Sequence, residues 1–205
     1  MKLIQRHGYI EFLRRNRERS IIKVVSGIRR CGKSTLFRLF KDELLAEGVK
    51  PEQIISINFE ELEYEPLREY NALYQYILNQ MQPNQMNYIF LDEIQHVDQF
   101  HRVVDSLFVK ENTDIYITGS NAYFMSSDIA TLLTGRYVEI QMLPLSFAEF
   151  YYSKYEEQQY SLIPAYEAYL RESSFPYTQQ LGGEDFDIQE YLRGLFNTLL
   201  LHDVV

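Results

Sequence analysis

The segment that most narrows what this chain can fold into is Gly27-Ile28-Arg29-Arg30-Cys31-Gly32-Lys33-Ser34, a complete G-x4-G-K-S pattern. Ile21-Ile22-Lys23-Val24-Val25, just before it, is short and β-branched and predicts a buried strand. Residues 33–46, just after it, predict a helix, so the pattern sits in the strand–loop–helix context that gives it meaning. The glycines let the backbone turn tightly and aim successive N–H groups at a phosphate. The helix N-terminus adds positive potential there. A lysine at the helix start reaches the outer phosphates, and the hydroxyl that follows suits a magnesium ion. The residues expected to line such a ligand are Gly27, Ile28, Arg29, Arg30, Cys31, Gly32, Lys33, Ser34 and Thr35, with Lys33 also acting in catalysis.

Four further apolar runs read as strands, at residues 54–59, 88–91, 115–118 and 137–142. Helical patterns lie between them, at residues 67–81, 99–109 and 124–133, and another at 6–19 precedes the first strand. Gly48 fits the end of the 33–46 helix and Pro51 stops it. Strands that alternate with helices, each a continuous apolar run, predict an α/β fold with a five-stranded parallel sheet covered on both faces. After Pro144 the pattern becomes helical. Residues 146–158 form a helix capped by Ser146 and Glu149, followed by helices at 161–171 and 186–201. The last is expected to bury Ile188, Leu192, Leu195, Phe196 and Leu199. The expected organisation is a core over residues 1–145 and a helical lid over 146–205, incomplete because its packing partner is expected beyond residue 205.

Tyr88-Ile89-Phe90-Leu91-Asp92-Glu93 is the natural second half of the site. Four apolar residues put Asp92 at the carboxyl end of a buried strand, where ligands bind in sheets of this kind. Asp92 joins Ser34 as an expected metal ligand, and Glu93 is expected to activate water. Thr118-Gly119-Ser120-Asn121 ends the fourth strand at the same edge. Ser120, then Asn121, is the candidate for orienting water or sensing a phosphate; a plain strand-ending turn is the alternative. Arg136, after Gly135, either stabilises transition-state charge or forms a surface ion pair with Glu139 or another carboxylate. Cys31, at a helix start, is either a thiol of lowered pKa or a small residue the loop tolerates.

Composition removes other classes. The chain has 205 residues, 46% apolar and 24% charged, an ordinary globular balance. It lacks an apolar run long enough for a membrane span and an h-region near Met1, so a cytoplasmic protein is expected. One cysteine excludes an intramolecular disulfide framework and a Cys-rich zinc site. Net charge is −9, unevenly spread: residues 1–50 carry 13 Lys/Arg against 5 Asp/Glu, whereas residues 51–205 carry 7 against 24. Arg14, Arg15, Arg17 and Arg19 form a short basic run that reads as a solvated helix face, or as a nucleic-acid contact.

These motifs together resemble a prokaryotic family of AAA+-like P-loop ATPases. The resemblance rests on Gly27 to Ser34, Asn58-Phe59-Glu60-Glu61, Phe90-Leu91-Asp92-Glu93-Ile94-Gln95, Thr118-Gly119-Ser120, and Gly135-Arg136 followed by the block from Leu143 to Phe150. It covers residues 1–150 densely and the helical region thinly. The resemblance implies ATP rather than GTP, and a C-terminal domain after the residues present here. The expected activity is hydrolysis of Mg-ATP to ADP and phosphate, coupled to a conformational output, with a homo-oligomer possible. The alternatives are a slow nucleotide-gated switch and a DNA-associated ATPase.

Overall fold

The computed structural model describes residues 4, 6–119, 133, 135–155, 160–181 and 185–199. The chain divides into two compact units. One comprises Gly8–Gly27 and Lys33–Gln141, and the other Met1–His7, Ile28–Gly32 and Met142–Val205.

The first unit holds the sheet. Its strands are β1 (Ile22–Gly27), β2 (Ile54–Asn58), β3 (Asn87–Asp92), β4 (Thr113–Gly119) and β5 (Tyr137–Met142), whose last residue belongs to the second unit. Their order is β2-β3-β4-β1-β5, the five-stranded parallel sheet expected from the sequence. Register is fixed by pairs such as Val25 with Thr118, Leu91 with Ile117 and Asn58 with Asp92. These pairs bring the carboxyl ends of β1, β2, β3 and β4 to one edge.

Both faces are covered, because the strand residues are apolar on both sides. On one face Val24, Ile55, Ile57, Ile89, Leu91, Ile115 and Ile117 form a continuous core. It includes Leu73 and Ile77 of α3 (Tyr70–Gln80) and Phe100, Val103, Val104 and Leu107 of α4 (Phe100–Phe108). On the other face Phe90 and Tyr116 stack at 4.6 Å. Phe37 meets Phe90 edge-on at 5.2 Å, and Phe40 lies tilted 5.4 Å from Tyr116. Phe37 and Phe40 lie on α2 (Lys33–Ala46), and each buried ring stabilises the fold by roughly 1.5–3 kcal/mol. The stretch expected as one helix over residues 67–81 is instead a 3-10 turn, Leu62–Arg68, followed by α3. Pro66 brings no N–H to that turn, and Glu69 is extended, its carboxylate accepting from Ala72 N at 2.9 Å as the N-cap of α3. The helix expected over residues 124–133 falls almost wholly outside the described residues.

At the amino edge of the sheet Lys23 and Asp114 form an ion pair with no solvent exposure on either side chain. It persists there because its remaining sites are satisfied. Tyr116 donates to Asp114 Oδ2 at 2.6 Å, Glu18 N donates to the same oxygen at 2.9 Å, and Lys23 Nζ reaches Arg19 O at 3.3 Å.

The second unit is helical, with α5 (Phe147–Tyr155), α6 (Leu162–Glu172) and α7 (Asp185–Leu199). The reciprocal cap of α5 forms as read: Glu149 Oε2 accepts from Ser146 N at 2.8 Å, and Ser146 Oγ from Glu149 N at 3.3 Å. Phe150 is buried against the ring of Tyr169, at 5.2 Å, and Tyr169 donates to Leu145 O. In α7, Ile188 and Leu195 are buried, seven residues apart on one stripe. Phe196 departs from expectation and is 61% exposed, since one residue of helix turns it about 100° away from Leu195. The side chain of Leu199 lies outside the described residues. Among the described residues no helix is long and apolar enough to cross a membrane.

Candidate active site

Four expected residues meet at the carboxyl edge of the sheet. Lys33, the first residue of α2, is buried, donates to Gly27 O at 3.0 Å and lies 3.1 Å from Glu93 Oε1. Asp92 ends β3 and is 6% exposed. It is hydrogen-bonded to Ser34 and accepts a hydrogen bond from Thr118 Oγ1. Burial raises the Asp92 pKa above the ordinary carboxylate value. Hydrogen bonds from Ser34 and Thr118 pull the other way, the Glu93 charge adds to the rise, and Lys33 opposes it.

Glu93 is the turning point of the chain. It takes the left-handed conformation (φ 54°, ψ 50°), which costs a non-glycine residue about 1–2 kcal/mol. Its buried N–H is satisfied by Thr118 Oγ1 at 2.9 Å. The 3-10 turn Ile94–His96 follows and folds Gln95 back, so that Gln95 Nε2 donates to Glu93 Oε2 at 2.6 Å. Each carboxylate oxygen of Glu93 therefore has a fixed partner, Lys33 on one and Gln95 on the other.

A model of the AAA domain matches residues 19–151. The chain belongs to the AAA domain family. Membership supports nucleotide binding and ATPase chemistry at that coarse level. Among curated proteins, an uncharacterised one from Haemophilus influenzae is 38% identical over 205 residues, covering 98% of this chain and 50% of its own length. One from Methanocaldococcus jannaschii is 35% identical over 191 residues, covering 85% and 41%. This AAA chain thus spans about half the length of the curated relatives it matches. Among solved structures, the Walker-type ATPase of Pyrococcus abyssi aligns with TM-score 0.63 and 16% identity, over 98% of this chain and 74% of that one. A DNA polymerase III γ-subunit-related protein of Thermotoga maritima aligns with TM-score 0.52 and 15% identity, over 93% and 62%. At those identities the likeness is one of fold.

The remaining expected residues of this AAA domain are distributed as follows. Thr35 follows Ser34 in α2 and is half-buried. Ser120 and Asn121 lie outside the described residues. Arg136 is not brought to the carboxyl edge of its own sheet. Its carbonyl accepts from Ile22 N at the start of β1, at 2.8 Å, five residues of strand or roughly 16 Å from Gly27. Its guanidinium pairs with Asp105 at 2.8 Å and covers the Phe108 ring, which is the surface ion pair foreseen as its alternative.

Within the helical unit, the loop Ile28–Gly32 has its own supports. Gly32 has φ +108°, open to glycine and strained for other residues, and Arg30 is left-handed at φ 67°. Cys31 is fully buried, and its carbonyl accepts from Arg6 NH1 at 3.4 Å. Arg6 also donates to Glu149 at 2.6 Å and to Leu143 O at 2.9 Å, joining the loop to the capping box of α5. Thr118, Gln95 and Arg6 were not among the expected site residues. Thr118 and Gln95 lay inside quoted motifs and are set by register and turn geometry. Arg6 gave no signal in a basic stretch.

Proposed function

We propose that this AAA domain binds Mg-ATP and hydrolyses it to ADP and phosphate, with the energy of the cycle driving a conformational output. The observation that carries the reading is the convergence of Lys33, Ser34, Asp92 and Glu93, linked through Thr118, at the carboxyl edge of the sheet. The loop from Gly27 through Gly32 supplies backbone N–H groups for the phosphates, and Lys33 supplies a positive charge for the β- and γ-phosphates. Ser34 and Asp92 would hold Mg²⁺: both offer hard oxygen atoms, and they already touch. The ion, when bound, neutralises charge on the phosphates. Glu93 accepts the proton of the attacking water.

The test is phosphate release from Mg-ATP by this chain beside Glu93→Gln, with Lys33→Ala assayed for ATP binding. Turnover abolished by Glu93→Gln and binding weakened by Lys33→Ala are expected. If Lys33→Ala binds ATP normally, the assignment of the loop is wrong.

A slow switch is the second reading, favoured by the engagement of Lys33. Lys33 is engaged by Glu93 and by Gly27 O, so phosphate must displace a buried ion pair before either residue can act. Tight binding with turnover only after a partner engages would support it. The DNA-associated reading is not favoured, because Arg14 is held by Glu43 and Glu11, and Arg17 by Glu47 and Glu18.

A further inference from the structure

Gln95 makes a contact that the roles above leave unused. Its Nε2 lies 2.6 Å from Glu93 Oε2, close for a nitrogen donor and a carboxylate, so the amide is held firmly in one orientation. That bond fixes the other end of the amide as well. Gln95 Oε1 is buried and has no hydrogen-bond partner among the described residues. A buried carbonyl oxygen left unpaired costs about 1–3 kcal/mol, so one that a fold retains calls for a role. The positions nearby are already spoken for: Lys33 lies on Glu93 Oε1, Thr118 on the Glu93 N–H and on Asp92. The donor suited to an acceptor beside a general base is water.

We propose that Gln95 is a catalytic residue, its amide nitrogen orienting Glu93 and its buried carbonyl oxygen receiving one hydrogen of the water that Glu93 deprotonates. The inference rests on the hydrolytic reading above. The attacking water then has both hydrogens engaged, one by Glu93 and one by Gln95 Oε1, and its lone pair is free for the γ-phosphorus. As the new P–O bond forms, Glu93 takes the proton. The bond from the γ-phosphorus to the bridging oxygen breaks, and its electron pair leaves on ADP. A neutral amide suits this task because it offers a donor and an acceptor in one plane without adding charge beside Asp92 and Glu93. A glutamine that orients the attacking water is a known solution in GTP hydrolysis. The left-handed turn at Glu93 leads into the 3-10 turn Ile94–His96, from which Gln95 reaches back to the Glu93 carboxylate.

The experiment compares the wild-type chain with Gln95→Met, which removes donor and acceptor, and Gln95→Glu, which keeps the shape and acceptor but loses the donor. Steady-state phosphate release should show kcat lower by about 10- to 100-fold in both variants, with KM for Mg-ATP within about threefold. A second measurement does not need turnover: the affinity of a fluorescent ADP analogue with Mg²⁺, with and without aluminium fluoride. Fluoride should tighten binding to the wild type and fail to do so in Gln95→Met, while affinity without fluoride stays unchanged. Gln95→Glu is near-isosteric and carries the test if Gln95→Met does not fold. Wild-type activity together with kcat within twofold in the folded variants, or equal fluoride-dependent tightening, overturns the role of Gln95 and leaves the hydrolytic reading standing. A wild-type chain that shows neither turnover nor fluoride-dependent tightening overturns that reading, and the inference with it.

Discussion

A single hydroxyl, that of Thr118, ties the acidic pair together, donating to Asp92 and accepting from the Glu93 N–H. Thr118→Val keeps the shape and the β-branch but leaves that N–H buried and unpaired. A loss of about 1–3 kcal/mol in urea unfolding is expected. ATP turnover should fall more than nucleotide affinity, because Glu93 loses the anchor of its left-handed backbone. Cys31 gives a prediction that needs no variant. It is fully buried, so iodoacetamide should label it slowly in the native chain and rapidly in urea. Equal rates would mean that the thiol is accessible after all. Arg136 is occupied by Asp105 and Phe108 at the amino edge, so Arg136→Ala should leave ATP affinity within about twofold and cost at most about 1 kcal/mol. Lys33, Ser34, Asp92 and Glu93 were legible because each sits at a fixed offset from an apolar strand. Thr118 was not, because only the pairing of Leu91 with Ile117 shows which residue of β4 lies beside Asp92. Gln95 was hidden for a related reason, since nothing local announces a left-handed Glu93.

At the scale of elements, legibility followed the strength of local signals. Helix α2 runs over the span read from the sequence because both ends carry their own chemistry. Its C-terminus closes with Gly48 at φ +96°, Val49 N on Leu44 O at 3.0 Å and Gly48 N on Leu45 O at 3.1 Å. That is the paired bonding of a Schellman end. Gly48→Ala has open space for a Cβ but must hold a positive φ, so a loss of about 1 kcal/mol is expected. Thermal unfolding reads it, and an unchanged midpoint would mean that the end rearranges. The cap of α5 was equally clear, because Ser146 and Glu149 are spaced for reciprocal bonds. The stretch before α3 was not, because the apolar spacing of Leu67, Tyr70 and Leu73 continues across a backbone break. Leu67 does pack on the core, but from a 3-10 turn. Hydrophobic period records which residues face inward and says little about whether the backbone between them stays helical.

Over the whole sheet unit the uneven charge of the sequence resolves into pairs. Arginines of α1 (His7–Asn16) and of the turn after it reach carboxylates on and just beyond α2, as Arg14 does with Glu43 and Arg17 with Glu47. Arg17 also donates to the Tyr88 hydroxyl at 3.0 Å, and that hydroxyl donates to Glu18. This cluster should set the alkaline limit of the fold. Burial, with the bond to Glu18, pushes the Tyr88 pKa up to about 12 from 10.0, although Arg17 acts the other way. Tyr116, buried and bonded to Asp114, is shifted further in the same direction. In the unfolded chain these phenols lose their protons near pH 10, while in the folded chain they keep them longer. Between those values the native state binds more protons than the unfolded one, so stability falls as pH rises. The contribution of Tyr88 is fully present below about pH 10 and is lost as pH climbs through about 12. Tyr88→Phe should be less stable at neutral pH by about 1 kcal/mol, from the lost hydrogen bonds. It should also show a shallower decline above pH 10, so that the two unfolding curves converge as alkali is added. Parallel curves from pH 9 to pH 12 would show that the Tyr88 proton is not what the folded sheet protects.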